Sequence, residues 1–187
     1  MRKPRIYMAG KVGKRDWRHQ LLGVDRIAHG WDDFTTYHTN GWQEFELLTY
    51  VGPFFVSCDH ACFHHNGVHG AASLTHPKDG HTICTALSDG PSPTQVHRRA
   101  VQGILDSNIV LAYIDKPDAY GTLFEIGFAV ANKKRVVLCI SDELRDIDKD
   151  FWFIARGASV THYNTTFEKL KNILHLEVRN FVVGDDA

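Results

Sequence analysis

Glu125 is the only charged residue in "LFEIGFAVA", Leu123 to Ala131, and it follows directly on a Gly-Thr pair and two apolar residues. A lone carboxylate on an apolar helical run is costly unless something pairs with it or uses it. Two uses fit the spacing. Thr122-Leu123-Phe124-Glu125 matches the S/T-x-x-E capping box. In that use Thr122 is the N-cap and Glu125 reaches back to the Thr122 amide. The other use is chemical. Gly121 and Thr122 lie four and three residues before Glu125, so the three share one side of a helix. Both are small and leave room for a ligand against the carboxylate. A helix start favours negative charge, so Glu125 is expected to stay ionised at neutral pH. An ionised carboxylate suits a nucleophile better than a proton donor. In the preceding "DKPDAYG", Asp115 and Asp118 can accept hydrogen bonds from a ligand. Ordinary turn chemistry is the alternative, and it suits Asp115 best.

A second concentration of reactive side chains is "CDHACFHHNGVHG", with Cys58, His60, Cys62, His64, His65 and His69. Thiolate and imidazole are the usual zinc ligands. The spacing C-x3-C-x-H-H-x3-H is not a standard finger pattern. Cys58, Cys62, His64 and His69 are therefore candidates for a structural zinc, and no other cofactor is implied. Alternatively the histidines hydrogen-bond backbone and substrate. A third possibility follows from position. "GPFFVSCDH" looks like a strand running into this loop, which places Asp59 and His60 at its end. There Asp59 could bind a ligand hydroxyl and His60 could shuttle a proton.

The elements that must position these groups can be traced along the chain. "RIYMAG" reads as a short buried strand ending at a glycine loop, and "DWRHQLLGV" as a short helix with Asp16 near its start. "DFTTYHT" and "YVGPFFVSC" read as strands. A long Gly/His/Asn-rich segment follows, and a loop of that length in a compact domain is usually functional or disordered. "SPTQVHRRAVQGILDS" keeps helical apolar spacing. "NIVLAYI" and "RVVLCI" are continuous apolar runs that suit strands buried on both faces. Between them "LFEIGFAVAN" is a helix that stops at Asn132. "DELRDIDKDFWFIARG" is helical in part, "ASVTHY" a short strand, and "TFEKLKNILHLEVRNF" an amphipathic helix.

Alternating apolar strands and helices imply a mostly parallel sheet covered on both sides. The expected fold is α/β: a doubly wound, flavodoxin-like or Rossmann-like three-layer sandwich. It is expected as one domain over residues 1–187, with an irregular His/Cys-rich insertion at about 57–92. Ligands of such sheets sit beyond the carboxyl ends of the strands. That edge should gather Gly10, the Cys58 to Thr75 loop, Asp115 to Thr122 and Ser141.

Bulk properties narrow the class. The chain has 187 residues, 43% hydrophobic and 23% charged, which is ordinary for a soluble globular protein. A net charge of -1 gives no basis for nucleic-acid binding or a polybasic membrane anchor. No apolar run reaches membrane-span length. "MRKPRIYMAGKV" turns polar too soon for a signal peptide. A cytoplasmic location is expected. Cys58, Cys62, Cys84 and Cys139 should then be reduced thiols or metal ligands.

Two stretches carry a resemblance. "IYMAG" at Ile6 to Gly10 and "SNIVLAYIDKPDAYGTLFEIGFAVANKKRVVLCI" at Ser107 to Ile140 resemble the nucleoside 2-deoxyribosyltransferase family and its superfamily of nucleotide N-glycosidases. The second matches the family's strand, Gly-Thr loop, Glu-x-Gly helix and following strand. The resemblance implies that Glu125 is the nucleophile and that Tyr7 orients it. It also implies that Asp118, within a residue, binds the nucleobase, while Gly10, Gly121 and Thr122 shape the substrate site. There is one departure. The family usually carries an aspartate on the helix before "NIVLAYI", for proton transfer to the base. Here that position reads "HRRAVQG", His97 to Gly103, without a carboxylate. Arg99 could instead bind a phosphate, or Arg98 and Arg99 could be a solvated pair.

The implied chemistry is cleavage or transfer of the N-glycosidic bond of a nucleoside or nucleotide through a glycosyl-Glu125 intermediate. The alternative is a catalytically silent nucleotide-binding or sensing module with the same pocket. The resemblance also implies a homodimer or higher homo-oligomer.

Overall fold

The structure is a computed structural model that describes residues 2–12, 16–24, 27, 42–53 and 93–184. Among the described residues there are six strands and five α-helices. They run β1 (Arg5–Ala9), α1 (Trp17–Leu22), β2 (Gln43–Glu44), β3 (Thr49–Tyr50), α2 (Pro93–Asp106), β4 (Ile109–Ile114), α3 (Tyr120–Ala131), β5 (Arg135–Ser141), α4 (Trp152–Gly157), β6 (Val160–Thr165) and α5 (Phe167–Gly184). The strands form a single sheet in the order β2-β3-β1-β4-β5-β6. Every neighbouring pair is parallel except β2 with β3.

The sheet is buried on both faces. All six residues of β4 are buried, as a run of Ile, Val, Leu, Ala, Tyr and Ile requires. Alternation sorts the strand residues into two cores. On one face Ile6, Met8, Leu111, Tyr113, Val137 and Cys139 pack with Trp17 and Leu21 of α1 and with Leu170, Ile173, Leu174 and Val178 of α5. On the other face Tyr7, Ala9, Val110, Ala112, Leu138 and Ile140 pack with Ile104 of α2 and with Ile126 and Ala129 of α3. Each fully buried aliphatic side chain of these layers contributes roughly 1.5–3 kcal/mol. The polar member of the α5 stripe, Glu177, is buried but accepts two bonds from Arg135, at 2.6 and 2.9 Å. That fork lets a carboxylate occupy an apolar position. Among the described residues no helix is long and apolar enough to cross a membrane.

This is the expected three-layer α/β arrangement. The chain leaves β1 toward β3 by way of α1 on one face, then crosses back over β1 to β4 by way of α2 on the other. The carboxyl ends of β1 and β4 therefore lie side by side at the point where the winding reverses, the usual ligand crevice of such sheets.

Several local expectations change. Of the expected "YVGPFFVSC" strand only residues 50–53 are described, and among them only Tyr50 is part of a regular strand, β3. Val51 N still donates to Ile6 O at 3.0 Å and Met8 N to Gly52 O at 2.8 Å. Gly52 then takes φ 131°, a conformation open to glycine, and the chain leaves the ladder. The short antiparallel β2 falls within "GWQEFELLTY". The expected "DFTTYHT" strand and the His/Cys-rich insertion lie outside the described residues.

The capping box does not form. Helix α3 begins at Tyr120, with Ala119 at the N-cap and no side-chain cap bond. Thr122 is already inside the first turn and is buried. Ala119, Ile126 and Ala129, with the buried Thr122, face the sheet, and this stripe pulls the start of the helix three residues earlier than the T-x-x-E match suggests. Asp16 does cap α1 as expected, accepting from Arg18 N at 3.0 Å.

Candidate active site

A cavity of about 280 Å³ opens at the reversal point. The loop after β1 supplies Gly10, Lys11 and Val12; the loop after β4 and the first turns of α3 supply Asp118, Ala119, Tyr120, Gly121, Thr122 and Glu125. A Cβ placed on Gly121 would meet nothing within 4 Å, so this glycine borders open space. Gly10 is tight instead. A Cβ there would lie 2.9 Å from Trp17 Nε1, and the missing side chain lets α1 close on the loop.

Glu125 sits at the inner wall. It belongs to the sheet-facing side of α3, one position before the buried Ile126. The hydroxyl of Tyr7, on β1, donates to its Oε1 at 2.5 Å. Tyr7 is fully buried, and its ring is held by the close approach of α2. A Cβ on Gly103 would come within 3.1 Å of the Tyr7 ring and 2.5 Å of the Val51 carbonyl. No side chain fits there. Gly103→Ala is expected to force α2 outward and destabilise the fold by about 1–3 kcal/mol. It should also lower activity through the displaced Tyr7, and thermal melts with parallel assays check both effects.

Burial pushes the Glu125 carboxyl up to about 7, against the opposing effects of the Tyr7 hydrogen bond and the Arg18 guanidinium. The expectation of a fully ionised group at neutral pH is therefore corrected. Burial outweighs the helix start, because removing water from a carboxylate costs more than one turn of helix dipole returns. Burial, with Glu125 beside it, holds the Tyr7 phenol well above its ordinary range, so Tyr7 stays protonated and donates. If Glu125 must be ionised to react, activity should rise about tenfold from pH 6 to pH 8. Tyr7→Phe removes a bond that favours the ionised form, so it should move that rise to higher pH. It should also cost about ten- to a hundredfold in rate at neutral pH. A pH-rate series on both proteins measures this.

Arg18 was not foreseen. It is fully buried beneath the loop. Its Nε donates to Met8 O at 2.8 Å, its guanidinium to Gly10 O at 2.6 Å and to Asp16 Oδ2 at 2.5 Å. The Trp17 ring lies 4.6 Å from its charged carbon. Arg18 thus holds the carboxyl end of β1 and places a positive charge near Glu125. One weak signal existed. Arg18 precedes Leu21 and Leu22 by three and four residues, so it is a charge in an apolar stripe, as Glu125 is.

The other candidates sort plainly. Gly10, Asp118, Gly121, Thr122 and Glu125 come together around the cavity, with Tyr7 behind Glu125. Asp118 is exposed at the mouth and forms an ion pair with Lys11, a residue that carried no sequence signal. Asp115 is half-buried at the end of β4, and burial raises its carboxyl. Arg99 is buried on α2 and is not among the residues lining the cavity. Cys58, Asp59, His60, Cys62, His64 and His69 lie outside the described residues.

The model of the nucleoside 2-deoxyribosyltransferase family matches residues 59–177, well over half of the chain. The chain belongs to that family. No match was found among curated proteins or among solved structures. The family match begins after β1, so Tyr7, Gly10 and Lys11 lie outside it. The fold brings them against the matched Glu125 and Asp118, and the cavity is made from both parts.

Proposed function

We propose that the protein cleaves or transfers the N-glycosidic bond of a nucleoside or nucleotide through a covalent glycosyl-Glu125 intermediate, with the whole chain acting as one such domain. The observation that carries this proposal is the Tyr7–Glu125 bond at the wall of a cavity in the sheet's reversal crevice. Family membership supports it.

In the first step a Glu125 carboxylate oxygen attacks C1′. A C1′–O ester bond forms and the C1′–N bond breaks, its electron pair leaving with the nucleobase. The base takes up one proton, from solvent or an acid at the site. In the second step water or a second nucleobase attacks C1′ from the opposite side, releasing Glu125 as a carboxylate. Two displacements retain the configuration at C1′. Tyr7 keeps one carboxylate oxygen engaged and so aims the other. The open space at Gly121 admits the sugar beside it.

The test is incubation with a panel of nucleosides and their 5′-monophosphates, with and without an added free base. Chromatography should show released base, or a new nucleoside when the added base is the acceptor. Binding without any base release would instead identify a silent nucleotide-binding module.

A further inference from the structure

Lys11 and Asp118 are separated by 107 residues, yet they are joined by an ion pair across the mouth of the cavity. Their side chains are 41% and 53% exposed. An ion pair that open to water stabilises a fold very little, so its consequence is local. It ties the loop after β1 to the loop after β4, the two segments that form the cavity. It also immobilises two side chains that would otherwise sample many rotamers.

The chemistry of the pair selects a ligand. The bond from Lys11 holds the Asp118 carboxyl below its ordinary range, and an ionised carboxylate can only accept hydrogen bonds. One carboxylate oxygen is taken by Lys11, and the remaining acceptor capacity is left for the ligand. An amino group placed there is satisfied. A carbonyl oxygen in the same place is repelled, because both groups are acceptors and neither supplies a proton.

We infer that Lys11 is a positioning residue that holds Asp118 across the cavity mouth as an acceptor-only group, selecting nucleobases that carry an amino group over their oxo counterparts. The inference rests on the proposed function for the presence of a base in this cavity. Glu125 is deeper on the wall and faces the sugar, so base selection and bond cleavage fall on separate carboxylates.

Calorimetric binding tests this independently of turnover. The Glu125→Gln protein, with Lys11 intact or changed to Met or Arg, is titrated with adenosine against inosine and cytidine against uridine, and with the 2′-deoxy forms. With Lys11 intact, the amino member of each pair should bind about tenfold more tightly. Lys11→Met should weaken the amino member about tenfold and leave the oxo member nearly unchanged, and Lys11→Arg should restore the preference. A loss of affinity equal for both members, or no preference with Lys11 intact, overturns the inference. Preserved preference in binding, with no base released by the unmodified protein, overturns the proposed function and leaves Lys11 as the selecting residue of a binding module.

Discussion

Glu125→Gln is expected to lower base release by at least a thousandfold while raising stability above pH 7. The loss of activity follows from the proposed role. An amide is a very poor nucleophile toward C1′, so no glycosyl ester forms, and among the described residues no other carboxylate lines the inner wall. The stability effect has the opposite sign and an independent cause. An unfolded glutamate titrates near 4.5, while burial holds Glu125 at about 7. Between these values the native protein binds more protons than the unfolded chain. Stability therefore falls as pH rises through that window, and the loss is complete above it. Glutamine has no charge to desolvate and can still accept from Tyr7. The gain at pH 8 should be about 1–3 kcal/mol, the lower part of the range applying because part of Glu125 faces the open cavity. Below pH 4 the difference should vanish. Denaturant unfolding of both proteins at pH 4 and pH 8 measures it. Equal stability at pH 8 would mean that the carboxylate is not desolvated in the fold.

Arg18→Met is expected to be the most damaging change to the fold near the site. It leaves the Met8 and Gly10 carbonyls without their guanidinium donor, and the Asp16 carboxylate without its cation, all in a buried setting. Breaking such a group from one side costs about 3–5 kcal/mol. In a chain of this size that lowers Tm by roughly 10 °C. Lysine should not rescue it, because its donors all radiate from one nitrogen and cannot span the acceptors that the three nitrogens of the planar guanidinium reach. A second effect reaches the site. Arg18 opposes the upward shift of the Glu125 carboxyl, so its removal should move the activity rise to higher pH. Melting curves and a pH-rate series on the folded fraction separate the two effects. A lower Tm with an unmoved pH profile would confine Arg18 to a structural role.

The readable and unreadable parts of this protein divide by the kind of signal they leave. Strands β1, β4 and β5 were legible because buried parallel strands must be almost entirely apolar. Helix α5 was legible because its buried residues recur at helical spacing. Glu125 stood out because a charge interrupts such a stripe. The start of α3 was misread at Thr122. A four-residue capping match describes local preference, and the packing of Ala119, Ile126 and Ala129 in the core outweighed it. The end of β3 escaped notice because it depends on the backbone of Gly52, which side-chain alternation does not report.

Composition and periodicity determined by themselves that this chain forms a layered α/β sheet with a carboxylate on an inward-facing helix. Apolar burial is additive along a strand or helix stripe, so it can be read one segment at a time. Only the tertiary structure decided what that carboxylate meets. Tyr7, Arg18 and Gly103 belong to three different elements, and their effect on Glu125 depends on distances across more than a hundred positions of chain or between packed layers. The same holds for Lys11 and Asp118. Electrostatics and hydrogen bonding act at contact range in space, and one-dimensional spacing carries no record of which distant residues will be neighbours.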